Sequence, residues 1–389
     1  MRRKIELGTA IFFIMTAVLI SCISTYMYLA HMVERTTGKS ELFEKISRVY
    51  QVVDNRYVGD VDADTAMNSL LKGYISGIDK YGVYLDKASY LEYTKSVQGT
   101  ASGIGATVRY VQSTGMVKIE RVRAGSPCEE AGVLAGDQII MINGEDVSVI
   151  GYTATADKLK AATGTEINLT LLRDDTTLDV TVVVQEYTIE TVIYRVIEKD
   201  VGYVSISEFD TNTADDFINA MDDLTKQGIT KFVFDVRNNG GGSLDAVTKV
   251  LDYILPKGTL CTITDKNGEE EVWTSDDKCL KGEISVLING STASGGELFA
   301  AAIRDFEAGT LVGETTYGKG MAQQTIPLGD DTALYLSTHY YYPPNGENYE
   351  GVGVTPDKAI ELTAELENRF YELTYSEDVQ LQEAVKAVK

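Results

Sequence analysis

Apolar residues follow two different periods along this chain, and both helices and strands are predicted from them. Across residues 41–98 they recur at helical spacing, as Leu42, Ile46 and Tyr50 show, which predicts a mainly helical segment. Short continuous runs such as Ile284–Ile288 instead predict buried strands, and the apolar stretches after them are long enough for helices. This alternation of strand and helix in the second half of the chain predicts an α/β core.

The longest uncharged stretch lies near the N-terminus, from Leu7 to about Ala30. At 24 residues it is long enough to cross a bilayer. The basic run Arg2–Lys4 precedes it, and positive charge on that side keeps the N-terminus in the cytoplasm. We therefore expect a single-pass anchor in the cell membrane, with the remainder of the chain extracytoplasmic. A cleaved or lipid-modified signal at Cys22 is the alternative, because residues 19–22 resemble a lipoprotein cleavage box.

Ser294 stands where a strand, a tight connection and an apolar helix follow one another. The strand at Ile284–Ile288 leads through residues 289–294 into an apolar stretch that ends near Ile303. Ser294 is therefore expected at a helix N-terminus, where free N–H groups and the helix dipole favour an alkoxide or an oxyanion. The alternative is a capping box, because Ser294 and Glu297 have the S-x-x-E spacing in which the serine only caps the helix.

Lys319 lies 25 residues after Ser294, and Gly318 and Gly320 beside it allow a sharp turn of the backbone. A lysine accepts a proton only when neutral, and at a reference pKa near 10.4 only about one in 2,500 is neutral at pH 7. Burial must therefore lower the pKa of a lysine base, at a cost of about 4 kcal/mol for three units. Gln323, on a predicted strand, can hold the amine without adding negative charge. The alternative is a solvated loop lysine.

A third segment places three consecutive glycines between a strand and a helix. The strand is predicted at Lys231–Val236 and the helix at Leu244–Leu255, with Gly240 and Gly241 between them. Consecutive N–H groups in such a connection bind anions. We expect an oxyanion hole that uses the amide of Gly240 or Gly241 together with that of Gly295. A nucleotide phosphate loop is the alternative, although the segment lacks the spacings G-x-x-x-x-G-K-[ST] and G-x-G-x-x-G.

These motifs, in this order, resemble those of the carboxyl-terminal processing peptidases, also called tail-specific proteases. The similarity covers almost all of the chain beyond the apolar N-terminal stretch and rests on Asp235–Gly242, Gly290–Glu297, Val312–Gly320, Tyr342–Gly346 and Gly351–Asp357. The resemblance implies Ser294 as nucleophile, Lys319 as general base and Gln323 as the residue that positions the lysine. One departure is Gly295–Gly296, where the family commonly has alanine and serine, and it leaves the role of Glu297 open.

A second region, from Gly99 to about Val184, resembles a PDZ domain. The signature A-G-x-x-x-G-D-x-I-x-x-I-N-G is present at Ala131–Gly144. PDZ domains add a peptide to a sheet edge and hold its terminal carboxylate in backbone amides, beside a helix that walls the groove. The resemblance implies a wall helix at Thr155–Ala162. The amides that it implies are those of Ile104, Gly105 and Ala106. A degenerate PDZ domain that binds no peptide is the alternative.

Composition limits further which partners and which kinds of catalytic site are expected. The formal net charge of −23 argues against nucleic acid and anionic lipid as partners. Of the two histidines only His339 is placed to serve a histidine triad, and a packed strand histidine is the alternative. Four cysteines do not describe a disulfide scaffold, although Cys261 and Cys279 flank a predicted hairpin and are able to pair outside the cytoplasm. The predicted chemistry requires no metal, nucleotide or other cofactor.

The length beyond the anchor exceeds one ordinary core, so two or three domains are expected. We divide the chain into a cytoplasmic tip with transmembrane anchor (1–36), an N-terminal helical region (37–98), a PDZ domain (99–186), a serine protease core (187–357) and C-terminal helices (358–389). The C-terminal helices are predicted at Ile360–Leu373 and Val379–Val388. The fold class is α/β, or α+β for the whole multidomain chain, and the resemblance implies a core of the Clp protease and crotonase type. It also allows a homodimer.

The sequence therefore predicts a membrane-anchored serine endopeptidase. It accepts unfolded or loosely structured polypeptides by their free C-terminal ends, and the PDZ domain binds or senses the tail. Two alternatives remain. A catalytically silent PDZ scaffold keeps the fold without turnover, against which the intact Ser294, Lys319 and Gln323 argue. An acyl-CoA enzyme of the crotonase type uses similar glycine amides but needs neither a PDZ domain nor an anchor.

Overall fold

The computed structural model describes residues 15–28 and 40–389 of the chain. The chain divides into two compact units, Met1–Met67 and Asn68–Lys389. In the first unit, residues 15–28 form helix α1 and Ser40–Arg56 form helix α2. Leu42 and Ile46 are half-buried on α2, whereas Tyr50, which shares their helical spacing, is exposed like most of the other described side chains of the helix.

The predicted anchor, residues 7–30, lies partly outside the described residues, because only residues 15–28 of it are described. Among the helices of the described residues, none has both the length and the apolar character needed to cross a bilayer.

A helical segment with one short strand precedes the PDZ-like region. It comprises helix α3 (Ala63–Ser76), strand β1 (Val83–Leu85) and helix α4 (Lys87–Val97). The prediction of a mainly helical segment at residues 41–98 is confirmed, and β1 is the strand that it missed. A turn closed by the N–H of Gly82 and the carbonyl of Asp79, at 3.1 Å, leads from α3 into β1. This turn places residues 79–82 at the end of a sheet strand.

The next region is mostly antiparallel sheet. Its elements are β2 (Thr100–Gly103), β3 (Ala106–Val111), β4 (Met116–Val122), α5 (Pro127–Glu130), β5 (Gln138–Ile142), β6 (Glu145–Asp146), α6 (Val147–Leu159), β7 (Glu166–Arg173), β8 (Thr176–Val183) and β9 (Gln185–Thr188). Strands β3, β4, β5, β7 and β8 form one sheet in that order, so β3 lies at its edge. The sheet buries a core of its own, in which Val117, Ile119 and Ile139 have no exposed surface.

The wall helix differs in extent from the prediction at Thr155–Ala162. Helix α6 begins earlier, at Val147, and ends at Leu159. It also contains a break at Gly151, whose φ of 78° is not helical. The apolar residues beyond Leu159 do not continue the helix because the chain turns there into β7.

The remaining elements build the largest part of the second unit. They are β10 (Val192–Ile197), β11 (Val201–Ile206), α7 (Thr213–Lys226), β12 (Lys231–Asp235), α8 (Leu244–Ile254), β13 (Thr259–Asp265), β14 (Glu270–Thr274), β15 (Glu283–Ile288), α9 (Gly295–Asp305), β16 (Thr310–Gly313), β17 (Met321–Pro327), β18 (Ala333–Tyr342), β19 (Lys358–Ala359), α10 (Ala364–Glu367) and α11 (Val379–Ala387). The strands and helices predicted around the three motif segments are confirmed to within one or two residues.

One sheet of this region has the strand order β10-β11-β12-β15-β16-β19. Strands β11, β12, β15, β16 and β19 run parallel to one another, and β10 is antiparallel at one edge. Both faces are covered by helices, which explains the continuous apolar runs. On β12, Phe232 and Phe234 lie in the core shared with α7, α8 and α9, whereas Val233 packs with Leu381 and Val385 of α11.

A second sheet supports the segment beyond Lys319. It has the order β1-β18-β13-β14, and β17 also pairs with β18. Strands β13 and β14 form the predicted hairpin around residues 265–268. Val83 of β1 lies opposite Tyr335 of β18 and Gln323 of β17 lies opposite Ser337, so residues far apart in sequence meet along β18.

The first C-terminal helix, predicted at Ile360–Leu373, is wrong. The structure has only the single turn α10 and a 3₁₀ turn at Phe370–Glu372 in this stretch. Tertiary contacts explain the difference, because residues of the 3₁₀ turn face other parts of the chain. The carboxylate of Glu372 pairs with Lys118 at 2.6 Å, and the ring of Tyr371 receives Arg121 at 5.2 Å from its centroid. The second predicted helix is confirmed as α11.

Arg237 joins the C-terminal segment to the parallel sheet. It is 7% exposed, and its guanidinium donates to Asp235 at 2.6 Å and to Asp378 at 2.8 Å, two carboxylates that are equally buried. It also donates to Gln380 at 2.9 Å and lies over the ring of Phe370. Two buried carboxylates are thus neutralised by one guanidinium, whose removal would leave their charges uncompensated.

We expect Arg237→Ala to lower the free energy of unfolding by about 3–5 kcal/mol, because breaking a buried ion pair leaves unpaired charge in the interior. The control is Lys358→Ala, which removes a pair with Glu383 at 2.9 Å in which the lysine side chain is 42% exposed. That control should cost no more than about 1 kcal/mol. Denaturant unfolding measures both, and equal losses in the two variants would contradict the assignment.

Candidate active site

Three loops meet at one edge of the parallel sheet. They follow β12, β15 and β16, which are adjacent parallel strands, so their carboxyl ends lie side by side. The loop after β12 carries Gly240 and Gly241, the loop after β15 carries Ser294, and the loop after β16 carries Lys319. The topology therefore brings together three segments that are up to 79 positions apart in sequence.

Ser294 is buried and has a strained backbone. It is 6% exposed and precedes α9, with φ of 55° and ψ of −115°. A serine that only caps a helix has an extended backbone with negative φ and needs no such strain. A positive φ at a residue other than glycine costs about 1–3 kcal/mol and is typical of functional sites. The backbone of Ser294 therefore favours a role beyond capping.

Glu297 links the serine loop to the lysine loop. Its side chain is fully buried, and one oxygen, Oε2, accepts the N–H of Ser294 at 2.9 Å and the N–H of Lys319 at 2.8 Å. The other oxygen, Oε1, accepts the N–H of Gly318 at 2.7 Å and the hydroxyl of Thr316 at 2.5 Å. A single carboxylate thus holds the backbones of both predicted catalytic residues.

Two effects act on the pKa of Glu297. Burial raises it above the ordinary value, and the hydrogen bonds from Thr316, Lys319, Gly318 and Ser294 act in the opposite direction. The three backbone N–H groups can only donate, so each finds its best acceptor in the ionised carboxylate. The hydrogen-bond pattern therefore favours a carboxylate at this position.

Lys319 is half-buried, and its ammonium lies 5.1 Å from the ring centroid of Tyr81. Across residues 40–389 the structure shows no hydrogen bond or ion pair to this ammonium. Burial lowers the pKa of Lys319 below its ordinary value, while the carboxylates of Asp79, Glu297 and Glu350 act to raise it. The direction of the shift is the one that a lysine base requires.

Gln323 has another partner in this structure. Its amide donates to the hydroxyl of Ser337 on β18 at 3.3 Å, and that hydroxyl donates to Asp79 at 3.1 Å. Gln323 is therefore connected to the carboxylate that, among the charged groups, most raises the pKa of Lys319. Its predicted role in positioning the lysine stays a prediction.

The side chain of Ser294 faces Tyr341. Burial raises the pKa of the Tyr341 hydroxyl, and a hydrogen bond from the Ser294 side chain acts against that rise. The hydroxyl of Tyr349 donates to the carbonyl of Ser294 at 3.2 Å. No hydrogen bond between the Ser294 hydroxyl and the Lys319 ammonium is found within residues 40–389. Glu297 holds the two backbones together. The hydroxyl of Ser294 faces Tyr341, and the ammonium of Lys319 faces the ring of Tyr81.

The glycine loop lies against Ser294. A Cβ added to Gly241 would lie 2.7 Å from the N atom of Gly295 and 2.9 Å from the Cβ of Ser294. The N–H of Gly241 donates to the side chain of Asn239 at 2.8 Å, so it is already satisfied within the chain. Within residues 40–389 no hydrogen-bond acceptor is found for the N–H groups of Gly240 and Gly295. Of the three predicted oxyanion donors, these two are free.

A cavity of about 420 Å³ borders the end of the glycine loop. Tyr341, which contacts the Ser294 side chain, lines it, and so does Gly242, which follows Gly241 in the loop. Its wall combines aromatic and apolar side chains, such as Phe209 and Trp273, with polar ones that include Glu208, Gln323 and His339. This volume is large enough to receive a side chain of a polypeptide bound at Ser294.

The PDZ amides lie in the loop between β2 and β3. The carbonyl of Ile104 accepts the N–H of Cys128 at 2.9 Å, and the carbonyl of Gly105 accepts the N–H of Arg123 at 2.8 Å. Ala106 is the first residue of the edge strand β3. The carbonyls of the loop are thus tied to the domain, and the loop opens onto a strand edge of the kind that accepts a peptide.

The remaining candidates form no hydrogen bond with Ser294 within residues 40–389, although His339 lines the cavity described above. His339 is on β18, where its ring meets the hydroxyl of Thr338 at 2.8 Å. Cys261 and Cys279 are both free thiols, so the pairing considered from the sequence is not present. Burial raises the pKa of the Cys261 thiol to about 12, and it therefore stays protonated. Within the described residues, no group of three or more His, Cys, Asp or Glu side chains is arranged to hold a metal ion.

Curated relatives match along most of the chain. A carboxy-terminal-processing protease of Bartonella bacilliformis is 31% identical over 355 residues, which cover 88% of this chain and 81% of the relative. The carboxy-terminal processing protease CtpB of Bacillus subtilis is 30% identical over 330 residues, covering 83% of this chain and 68% of the relative. The model of peptidase family S41 matches residues 200–360, and a PDZ domain model matches residues 118–173.

The chain belongs to the carboxy-terminal processing proteases of peptidase family S41. It is a serine-type peptidase with a PDZ domain, as the resemblance of the motifs implied. The S41 match includes Ser294, Lys319 and the glycine loop, whereas the segment around Asp79 and Tyr81 lies well before it.

Solved structures show the same fold as this S41 peptidase. A photosystem II D1 C-terminal processing protease has a TM-score of 0.52 at 24% identity and covers 90% of this chain and 96% of its own. A protein described as an S41 protease from Bacteroides fragilis has a TM-score of 0.63 at 19% identity and covers 85% and 92%. These likenesses support a mixed α/β fold for the S41 peptidase with its PDZ domain.

Several residues of the site were not found from the sequence. The S-x-x-E spacing pointed to Glu297 as a capping residue, but its contacts with the lysine loop could not be seen without the adjacent strands β15 and β16. Tyr81, Asp79 and Tyr341 were not predicted to be at the site, and β1 and β18 bring them there. In this S41 peptidase they surround the lysine and the serine.

We expect Gly241→Ala to lower the free energy of unfolding by about 1–3 kcal/mol, because the added Cβ meets Gly295 and Ser294 and φ at this position is 98°. Cleavage should fall with it. Gly240→Ala is the matched comparison, since a Cβ there meets nothing within 4 Å. Thermal unfolding and peptide cleavage measure both variants. An unchanged thermal midpoint in Gly241→Ala would contradict the close approach of the two loops.

Proposed function

We propose that the chain is an endopeptidase that cuts unfolded or tailed polypeptides recognised at their C-terminus, with Ser294 as nucleophile and Lys319 as general base. The observation that carries this proposal is the Glu297 carboxylate, which accepts the backbone N–H of both residues. The strained backbone of Ser294 and the lowered pKa of Lys319 support it independently. A protein in which Ser294 only capped a helix would need neither feature.

The reaction follows from these roles. Neutral Lys319 takes the hydroxyl proton of Ser294 as the serine oxygen bonds to the scissile carbonyl carbon. The carbonyl oxygen becomes an oxyanion, which the N–H groups of Gly295 and Gly240 stabilise. The ammonium of Lys319 then gives its proton to the leaving nitrogen, and the C–N bond breaks to leave an acyl-enzyme. Water releases the acyl group as an acid, with Lys319 taking one proton and returning it to Ser294.

The lysine side chain must move for the first step. In this structure its ammonium lies over the Tyr81 ring and makes no hydrogen bond with Ser294. The flexible four-carbon stem of a lysine allows it to swing toward Ser294 without moving the backbone that Glu297 holds. Gln323, joined to Ser337 here, is proposed to receive the amine on the catalytic side. This role for the glutamine is the one that the family resemblance implies.

Substrate selection is proposed to involve the PDZ domain. Two curated relatives are named for carboxy-terminal processing, which supports recognition of a C-terminal end here. The loop of Ile104, Gly105 and Ala106 opens onto the edge strand β3, where a peptide is able to add as a further strand. The cavity beside Ser294 would then take a substrate side chain near the cleaved bond.

Membrane attachment is also a proposal. The uncharged stretch from Leu7 to Ala30 and the basic residues before it support an anchor with the catalytic part outside the cytoplasm. A homodimer is proposed on family resemblance alone. Neither a membrane anchor nor a dimer is needed for the chemistry at Ser294.

We expect both Ser294→Ala and Lys319→Ala to reduce peptide cleavage by at least about 1,000-fold, because members of a nucleophile and base pair act as a unit. Lys319→Ala should keep or raise the thermal midpoint, since it removes a half-buried ammonium that has no ionic partner within residues 40–389. Cleavage of a tailed peptide and thermal unfolding measure both effects.

The matched control is Lys257→Ala, an exposed lysine before β13 that should retain full activity. Full activity in Lys319→Ala would refute the lysine base. Full activity in Ser294→Ala, with a loss of about 1 kcal/mol in stability, would favour the capping role instead. A thioesterase assay of the wild type addresses the acyl-CoA alternative.

We expect a peptide with a free C-terminal carboxylate to be cleaved with a KM about tenfold lower than the same peptide with an amidated end. Hydrogen bonds to a charged group contribute about 1.5–3 kcal/mol, and amidation removes that charge. The turnover number should change less than KM, because the carboxylate binds away from Ser294. Equal KM values for the two peptides would mean that the PDZ loop does not hold the tail.

A further inference from the structure

A turn that precedes the PDZ domain reaches the lysine of the active site. Asp79, Lys80 and Tyr81 lie between α3 and β1, more than 100 residues before the start of the S41 match at residue 200. The pairing of β1 with β18 fixes this turn in place, because Val83 lies opposite Tyr335. Strand β18 also pairs with β17, which follows directly on the lysine loop. The turn is therefore positioned by the same sheet as the lysine.

Asp79 anchors the turn. One oxygen of its carboxylate accepts the backbone N–H of Ser337 at 2.8 Å. The other accepts the hydroxyl of Ser337 at 3.1 Å and the backbone N–H of Tyr81 at 2.9 Å. No cation pairs with this carboxylate within residues 40–389. Its negative charge is therefore offset by hydrogen bonds alone and acts on whatever cation is nearest.

Tyr81 covers the lysine. Its hydroxyl lies 3.1 Å from a carboxylate oxygen of Glu350 and 3.3 Å from the carbonyl of Gly318, so the ring is tied to the lysine loop itself. The ammonium of Lys319 lies 5.1 Å from the ring centroid. The ring of Tyr317, on the lysine loop, lies 6.5 Å from that of Tyr81. Tyr81 thus occupies space over Lys319 that water would otherwise fill.

The three carboxylates near Lys319 have different hydrogen-bond and ion-pair partners. The carboxylate of Glu350 pairs with Lys80 at 2.6 Å and accepts the N–H of Gly320. The carboxylate of Glu297 accepts three backbone N–H groups. Asp79 is first among the charged groups that raise the pKa of Lys319, and burial is the larger, opposing influence. Two neighbouring residues of one turn are therefore placed to act on the amine in opposite directions.

We propose that this turn is part of the active site, with Tyr81 and Asp79 as positioning residues that control when Lys319 is able to act as a base. The ring of Tyr81 excludes water from the amine and favours its neutral form. The carboxylate of Asp79 favours the ammonium form and holds Tyr81 in place. The inference rests on the proposed role of Lys319 and adds residues that the S41 match does not include.

The test is the pH dependence of kcat/KM for a tailed peptide, measured on the full chain. The acid limb of that profile reports the loss of the Lys319 proton in the free enzyme. Tyr81→Ala exposes the amine to water, so we expect the limb to move to higher pH by about one unit. Asp79→Asn keeps an acceptor oxygen and removes the charge, so we expect the limb to move to lower pH by about one unit.

Two further variants separate shielding from the other contacts of Tyr81. Tyr81→Phe keeps the ring and loses the hydroxyl contacts with Glu350 and Gly318, so the limb should stay where it is in the wild type. Tyr81→Leu keeps part of the apolar cover and should give a smaller upward shift than Tyr81→Ala. It also serves as the test if Tyr81→Ala does not fold. Tyr74→Ala, on the exposed side of α3, is the control and should leave the profile unchanged.

Opposite shifts of the acid limb in Tyr81→Ala and Asp79→Asn support the proposal. Simple loosening of the turn would move this limb in the same direction in both variants. Shifts in one direction, or no shift in either, overturn it. The proposed function fails separately, through full activity in Lys319→Ala. If Lys319→Ala is inactive and the limb does not respond to Tyr81 or Asp79, the lysine is the base and the turn has only a structural role.

Discussion

One buried carboxylate fixes the geometry of this active site. Glu297 is on the first turn of α9, three residues after Ser294, and it accepts hydrogen bonds from the serine loop and from the lysine loop at the same oxygen. The loops begin at the ends of adjacent parallel strands, so they are close before Glu297 acts. The carboxylate sets the relative position of the two loop backbones and leaves the side chains of Ser294 and Lys319 free to move. A nucleophile and a base that must exchange a proton need this combination of fixed backbones and mobile ends.

The parallel sheet provides the rigid support for that arrangement. Phe232 and Phe234 pack against α7, α8 and α9, and Val233 packs against α11, so strand β12 is buried on both faces. Such a support is able to hold Ser294 at a positive φ, which an isolated loop would relax. Arg237 joins the C-terminal segment to the sheet, because it neutralises both Asp235 at the end of β12 and Asp378 before α11. The C-terminal segment therefore belongs to the structure that holds the site.

The lysine shows how the surroundings of one amine are balanced. Burial favours the neutral form that removes a proton from serine, and three nearby carboxylates favour the ammonium. Within residues 40–389 only Glu350 among these carboxylates pairs with another cation, Lys80, whereas Asp79 and Glu297 are held by hydrogen bonds from uncharged groups. The ring of Tyr81 lies against the amine and keeps water from it, which favours the neutral form. A substrate that displaces water from the cleft would shift this balance toward the neutral form.

The sequence by itself determined the elements that carry the chemistry. Continuous apolar runs identified β12 and β15 because strands buried on both faces need them, and the glycines and serine after those strands marked the loops of the site.

Tertiary structure decided what these signals do not encode. The stretch Ile360–Leu373 has a helical pattern, yet the contacts of Tyr371 and Glu372 with the PDZ region hold it in a short turn. Glu297 had the spacing of a cap, and only the adjacency of β15 and β16 joined it to the lysine loop. No contact between Tyr81 and Lys319 was predicted from the sequence, because it depends on the pairing of strands that are some 250 residues apart in the chain. Local sequence sets local conformation, whereas contacts between distant segments follow from how the sheets assemble.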